Sequence, residues 1–573
     1  MKVVLKHAGR WLHFSRPVTV LRAERMEEVL PMLREAEESG LFAAGFVSYE
    51  AAPAFDSALK THPSAGFPLL CLGLFHAPEV LEDIEEAAPA SFEIGPLEPS
   101  VSKADFEATI GEIKERIAEG ATYQVNYTYR LNANFSGDAW AFFQELVRAQ
   151  KTEYAAFIDL EDYAVCSASP ELFFSFNDGR IFARPMKGTA RRGRTFAEDW
   201  QQSEALLHSE KDRAENIMVV DMIRNDIGRI AEPGSVETVS TYDVEKYPTV
   251  WQMTSTVVGT SAAKISEVWQ ALFPCASITG APKAKTMEII RSLETSPRKI
   301  YTGSMGFITP QGEACFNVAI RTALIDRQAG QLEFGVGGGI VWDSDAESEY
   351  EETLTKARVL TQPRPEFQLL ETMLWEPESG IFLIDEHVQR LGKSAAYFDV
   401  PLDMHAVFQG LDGATQTLEK VPHRIRLLVA KDGNSEIQTF PIKEGDGDAL
   451  SIALGKDPID SQHIFLFHKT THRDVYESAF AQAAVDQSDC DDVILWNEKG
   501  EVTESTMANV VIRKNGKWVT PPVGCGLLAG TFREHLLKMG EIGEAVVSVE
   551  DLKVADEIFL INSVRKWQRA RLN

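Results

Sequence analysis

Between residues 361 and 367 the sequence reads TQPRPEF, with Pro363 and Pro365 one residue apart in a short polar stretch. Proline lacks an amide donor and restricts the residue before it, so neither a helix nor a central strand runs through this point. The segment before it, YEETLTKARVL, reads as a helix, and the segment after it, FQLLETMLW, as a strand. The break divides 573 residues, more than one hydrophobic core usually supports, into two blocks that can each bury a core. We therefore expect a first domain over residues 1–362, a linker over 363–367 and a second domain over 368–573. The blocks share no periodicity and show no internal repeat, which favours two unrelated domains over a duplication.

Helix and strand signals interleave in both blocks, as an α+β multidomain chain requires. KADFEATIGEIKERIAEG puts Phe106, Ile110, Ile113 and Ile117 on one helical face, and YQVNYTYRL then alternates like a strand. Beyond the seam, HRIRLLVAKDG and DDVILWNEKGEVTE read as strands closed by turns, and ESAFAQAAVDQ as a helix. A formal net charge of -28 argues against nucleic acid and anionic membranes as general partners. Small anionic substrates stay open, because arginines and lysines can gather inside a cleft. The six cysteines form no CxxC pair, so neither a zinc site nor a disulfide framework is signalled, and a cytoplasmic setting is expected. The start, MKVVLKHAGRWLHF, lacks a secretory h-region, and no run is long enough to span a bilayer, so neither export nor membrane insertion is expected.

Three segments of the first block are dense in chemistry for their length: SPELFF with RPMKGTARRG within 169–193, SEKDRAENIMVVDMIRND at 209–226 and SITGAPKAKTMEII at 277–290. With IRT at 320–322 and GGGIVWDSDAESEYEETLTKA at 337–357 they resemble the chorismate-utilising enzymes, whose fold is antiparallel sheets flanked by helices. The likeness is greatest to the aminodeoxychorismate-forming branch, since Lys187 stands in PMKGT where anthranilate synthases of the family carry a small apolar residue. Gln252 likewise stands where those synthases typically show histidine. The resemblance implies that Lys187 is a nucleophile that adds to the chorismate ring as the 4-hydroxyl leaves, and that ammonia then displaces it. An amine attacks only when unprotonated, and hydroxide leaves only with a proton, for which Glu171 is the matching acid. Glu215 and Glu352 match the family's Mg²⁺ positions. Asp212 and Glu349, each three residues earlier, share a helical face with them and are further candidate ligands. Lys283, Arg321 and the backbone at Gly280, Ala281, Gly337, Gly338 and Gly339 are the candidate contacts to substrate carboxylates. Taken alone, Lys187 beside Arg191 and Arg192 also reads as a solvated basic cluster, EYEETLTKA as an exposed acidic helix, and the glycine triplet as a strand-to-loop bend. No Gly-Cys-Gly elbow with a downstream His-Glu pair occurs, so an ammonia-supplying glutamine amidotransferase subunit is the expected partner.

In the second block EHVQRLGKSA, LFHKTTHRDVY, EVTESTMANVV, GLLAGTFREHL and DEIFLINSVR follow in order. They resemble the class IV aminotransferases, which bind pyridoxal 5'-phosphate. The resemblance implies Lys469 as the Schiff-base lysine and Glu504 as the partner of the pyridine nitrogen. Arg390, the amides of Thr531 and Phe532, and the Ser563 hydroxyl are the implied phosphate contacts, with the amides opening a helix. Glu504 alone also reads as a carboxylate at a strand end, and GLLAGT as ordinary capping. This family also transaminates branched-chain and D-amino acids, and its members suggest a dimer through this domain. Together the two blocks imply formation of 4-aminobenzoate from chorismate, by amination and then elimination of pyruvate. Two alternatives stay open: an anthranilate- or isochorismate-forming block joined to a transaminase, and a non-catalytic scaffold for the glutaminase.

Overall fold

The computed structural model describes residues 1–84, 91–150, 152–360, 365–442, 448–486, 490–514 and 516–573. Residues 361–364, at the start of the proline seam and of the expected linker, lie outside the described residues. The chain divides into two compact units: Met1–Arg191 with Ser203–Arg364, and Arg192–Gln202 with Pro365–Asn573.

In the first unit eleven of the described strands form one antiparallel sheet and ten form another. The strand Leu70–Phe75, LCLGLF, is apolar and buried at every position. Successive strand side chains point to opposite faces, so Leu70, Leu72 and Leu74 enter one core while Cys71 and Phe75 enter another. The first core also takes Val29 and Leu33 of helix Met26–Glu38, Val219 and Ile223 of helix Glu210–Gly228, and Trp269 of helix Ile265–Leu272. The other core holds Val3, Leu5, Ile158 and Val165, which belong to the eleven-stranded sheet. Alternate residues of that sheet, Phe157, Ala164 and Cys166, enter instead a third core shared with Phe143 of helix Ala139–Gln150 and with Phe106, Ile110 and Ile113 of helix Lys103–Ala118. The unit is thus a two-sheet sandwich with helices on both outer faces, and its doubly buried strands are apolar throughout for that reason.

A buried polar hub ties these layers together. Arg298 Nη2 and Nε donate to the two oxygens of Glu294 at 2.7 and 3.0 Å. The same guanidinium donates to the carbonyls of Asn126 at 2.7 Å and Ile278 at 2.9 Å. Glu294 Oε1 accepts from the Thr128 amide at 3.0 Å and its hydroxyl at 2.8 Å. Glu50 receives the amides of Arg298 and Lys299, both at 2.8 Å, while burial pushes its carboxyl up to about 7.

The second unit carries a four-stranded antiparallel sheet and an eight-stranded mixed sheet among the described residues. In the strand His423–Val429 of the smaller sheet, Ile425, Leu427 and Val429 join a core with Leu369, Met373 and Leu391. Period-two alternation leaves Arg424 and Arg426 on the opposite face. No helix among the described residues is long and apolar enough to cross a membrane.

Removing one partner of a buried ion pair leaves an uncompensated charge, so Arg298→Ala should destabilise the first unit by about 3–5 kcal/mol. Denaturant unfolding of the full chain should show an earlier transition, whereas Arg25→Ala, at a surface pair with Glu28, should shift it by far less.

Candidate active sites

The first unit contains a cavity of about 340 Å³, at the place where the chain passes between the two sheets. Strand Tyr163–Ser169 belongs to the eleven-stranded sheet and Leu172–Asn177 to the other, so Pro170 and Glu171 make the crossing. The chain returns between Ala314–Val318 and Thr322–Asp326, with Arg321 in the left-handed region at φ 49°. The two crossings are bonded side by side, Val318 amide to Glu171 carbonyl at 3.0 Å and Ala168 amide to Arg321 carbonyl at 3.1 Å. Both side chains line the cavity.

Glu171 is 2% exposed, and its Oε1 has no hydrogen-bond partner among the described residues. Burial raises its carboxyl to about 7, against the opposing pull of Ser277, the Met186 amide and Lys187. Arg321 is lowered to about 10 by burial; it donates to Gln150 and lies 6.0 Å from the Tyr247 ring centre. Among the described residues no carboxylate pairs with it, which leaves its charge available to a ligand.

Lys187 lies on the edge strand Met186–Arg191, whose register slips between Met186 and Thr189, with Gly188 at φ 96°. Such a bulge re-aims a side chain. Gln252 braces it, donating to the Gly188 carbonyl at 2.9 Å and accepting from the Thr189 hydroxyl at 3.1 Å. Gly337, Gly338 and Gly339 lie within the strand Gln331–Ile340, paired to Thr128, Tyr127 and Asn126. A side chain at Gly339 would collide with Lys187 Nζ and the Gln124 amide, so the glycine makes room for the amine.

Asp212 and Glu215, from helix Glu210–Gly228, and Glu349 and Glu352, from helix Ala346–Ala357, line the same cavity. Burial raises Glu215 and Glu349, and each is raised further by a neighbouring carboxylate. Lys356 holds Glu352 below its ordinary value. Among the described residues no three acidic, histidine or cysteine side chains converge into a ready-made metal cluster.

Lys283, Gly280 and Ala281 are not among the residues that line this cavity. Lys283 pairs with Asp226 at 2.7 Å and donates to the Leu272 carbonyl at 3.0 Å. Gly280 and Ala281 are spent on pairing with Val125 and Gln124. Sequence reasoning missed Lys356, which lines the cavity and bonds Glu352 Oε1 and the Gly337 carbonyl, both at 2.8 Å. Its place four residues after Glu352 on one helical face was the available signal. Tyr301, also a lining residue, has its ring against Gly335 and carried no such signal.

The second unit holds a cavity of about 630 Å³ lined by Lys469, Glu504, Arg390, Thr531 and Ser563. Burial lowers Lys469 to about 8, with Arg390 adding to the effect. Glu504 is raised by burial to about 7 and accepts from the Tyr476 hydroxyl at 2.8 Å and the Leu528 amide at 2.9 Å. Arg390 is gripped in two-pronged fashion by Glu371, at 2.9 and 2.6 Å, and donates to the Ala529 carbonyl at 3.1 Å. Burial works to raise Glu371, but Arg390 and His387 outweigh it and hold the carboxyl at about 2. Helix Thr531–Met539 starts without a side-chain cap, so its first amides, those of Thr531 and Phe532 included, are open donors for an anion. The Phe532 ring itself is packed among Val511, Leu536 and Ile561. The Ser563 hydroxyl donates to the Thr372 carbonyl at 3.2 Å. Glu371, Tyr476 and Arg473 were not legible beforehand, because their partners are distant in sequence.

A family model described as chorismate binding enzyme matches residues 7–362, and one described as amino-transferase class IV matches residues 368–572. The chain is 39% identical over 266 residues to aminodeoxychorismate synthase component 1 of Salmonella typhimurium, covering 46% of this chain and 58% of that protein. It is 40% identical over 262 residues to anthranilate synthase component 1 of Aquifex aeolicus, covering 45% of this chain and 52% of that protein. It therefore spans only a little over half the length of these relatives, and overall identity does not separate the two activities. The crystal structure of anthranilate synthase component I from Streptococcus pneumoniae TIGR4 superposes with a TM-score of 0.53 at 25% identity, over 63% of this chain and 92% of that one.

A lysine lowered to about 8 is half deprotonated where ordinary lysines are charged. Labelling of Lys469 by acetic anhydride, followed by peptide mass spectrometry without added ligand, should rise with a midpoint near pH 8 and not near the ordinary 10.5.

Proposed function

The chain belongs to the chorismate binding enzyme family, and from that premise we propose that it makes 4-aminobenzoate from chorismate in two steps, one in each unit. The first step is amination of chorismate to 4-amino-4-deoxychorismate. The observation that carries this reading is the lodging of Lys187 in the space kept by Gly339, in the same cavity as the buried acid Glu171. Glu171, raised to about 7, holds the proton that the departing 4-hydroxyl needs. The Lys187 amine adds to the ring as water leaves, and ammonia entering at C4 then expels the lysine. Arg321 receives one substrate carboxylate.

Glu215 and Glu352, with Asp212 and Glu349 beside them, would hold Mg²⁺. A hard cation needs only one or two protein carboxylates alongside waters and ligand oxygens, and the mutual repulsion of these acids suits a cation among them. When bound, the ion neutralises a substrate carboxylate. Ammonia comes from a separate glutamine amidotransferase, a reading supported by the component 1 designation of the relative from Salmonella typhimurium. A cytoplasmic setting fits the six free cysteines.

The second step is elimination of pyruvate from aminodeoxychorismate. The class IV family implies pyridoxal phosphate, and the residues present fit it: a cavity-facing amine at Lys469, a buried carboxyl at Glu504 and the open helix start at Thr531. The cofactor supplies an electron sink when bound. Glu504 would hold its ring nitrogen and the amides of Thr531 and Phe532 its phosphate, and Lys469 is placed to move the ring proton whose loss completes the aromatic ring as pyruvate departs.

Chorismate, ammonia, Mg²⁺ and pyridoxal phosphate should together yield 4-aminobenzoate and pyruvate; anthranilate as the product would overturn the reading. Lys187→Ala should severely cut aminodeoxychorismate formation and spare cleavage of supplied aminodeoxychorismate. Lys469→Ala should do the reverse, and should also lose the pyridoxal phosphate mass that borohydride fixes to the wild-type chain.

Because Glu171 acts in its protonated form, which is lost as pH rises through its raised value, amination should decline above about pH 7. Glu171→Gln should lower the rate by about 10²–10⁴-fold and abolish that alkaline limb.

A further inference from the structure

In the second cavity the acids are already spent. Glu504 is bonded to Tyr476 and Leu528, Asp492 accepts from Ser505 and Thr506, and Asp491 accepts from the Ser451 amide. Of the cations, Arg390 is held by Glu371 and Arg473 donates to the Thr506 carbonyl. Arg424 and Arg426, which also line the cavity, pair with no carboxylate among the described residues. They lie two residues apart on one face of the strand His423–Val429, while Ile425 and Leu427 anchor its other face in the core. Their cross-strand neighbours carry no charge: Thr372 and Gln438 flank Arg426, and Leu374 and Phe440 flank Arg424. The Arg424 guanidinium lies 4.8 Å from the centre of the Phe440 ring, which holds it in place without neutralising it.

In a chain of net charge -28, two uncompensated arginines aimed into a cavity mark a place for anionic groups. A strand rises about 3.3 Å per residue, so the Cα atoms of the pair stand about 7 Å apart, near enough for both side chains to meet carboxylates of one ligand. We propose that Arg424 and Arg426 form a paired wall that selects a substrate bearing two carboxylates, and so turn this site from simple amino acids towards a ring dicarboxylate. The inference rests on the elimination reaction proposed above, and names the residues that distinguish its substrate from those of a transaminase.

The test uses the full chain loaded with pyridoxal phosphate. For pyruvate release from supplied aminodeoxychorismate, Arg424→Gln and Arg426→Gln should each raise KM at least about tenfold, a typical scale for a charge-assisted pair, with kcat little changed. The lysine variants should recover part of the loss. Cofactor retention equal to wild type shows that each variant is folded. A second arm, on the cofactor-free chain, measures protection of Lys469 from acetic anhydride by isophthalate and by benzoate. The dicarboxylate should protect the wild type more strongly, and the double glutamine variant should lose that preference. If the wild type releases no pyruvate but isophthalate protection behaves as stated, the elimination reading fails and the arginine pair stands. If the wild type is active and the double variant keeps both its KM and its protection, the arginine pair is overturned.

Discussion

The Glu294–Arg298 pair is the constraint on which the first cavity depends. Its guanidinium reaches the carbonyls of Asn126 and Ile278, and both of those residues line the cavity. Glu294 also seizes the Thr128 amide and hydroxyl on the strand that faces the glycine run. One buried ion pair therefore fixes the backbone opposite Lys187 from two directions. An isolated buried charge is costly, and this pair is tolerated because both oxygens of Glu294 and all three nitrogens of the Arg298 guanidinium are bonded. The price in fold stability is offset by a cavity wall whose backbone is bonded in place.

Burial brings a carboxyl to about 7 in both cavities, at Glu171 and at Glu504, yet their surroundings differ and suit them to opposite work. Glu171 keeps an oxygen with no partner among the described residues and faces an amine, an arrangement suited to giving up a proton. Glu504 is bonded by a hydroxyl and an amide, which favour the charged form once a cationic ring nitrogen is presented. The shift alone does not define a role; the bonds around it do.

Much of this was legible in the sequence where chemistry and periodicity coincide. The helix carrying Phe106, Ile110 and Ile113 and the strand from Gln124 fall where local pattern put them, while the acids at Glu215 and Glu352 and the lysines at 187 and 469, implied by the family resemblance, line the two cavities. What stayed hidden depends on partners remote in the chain. Lys283 reads as a substrate cation until Asp226 is found against it. Gln252 reads as a mark of substrate choice, yet both ends of its amide brace the bulge beside Lys187. Glu371 gives no sign of holding Arg390 and His387, since the partners lie sixteen and nineteen residues away.

The glycine at 339 has a consequence for how such a site changes over generations. Its missing side chain is a socket for an ammonium-sized group, walled by the Gln124 amide. Trimming Lys187 to a small residue would empty the socket, and a polar void of that kind takes up a small hydrogen-bonding molecule. Free ammonia has the dimensions of the amine that was lost. On the amination proposed above, the covalent and the direct route differ at a single codon on a shared scaffold.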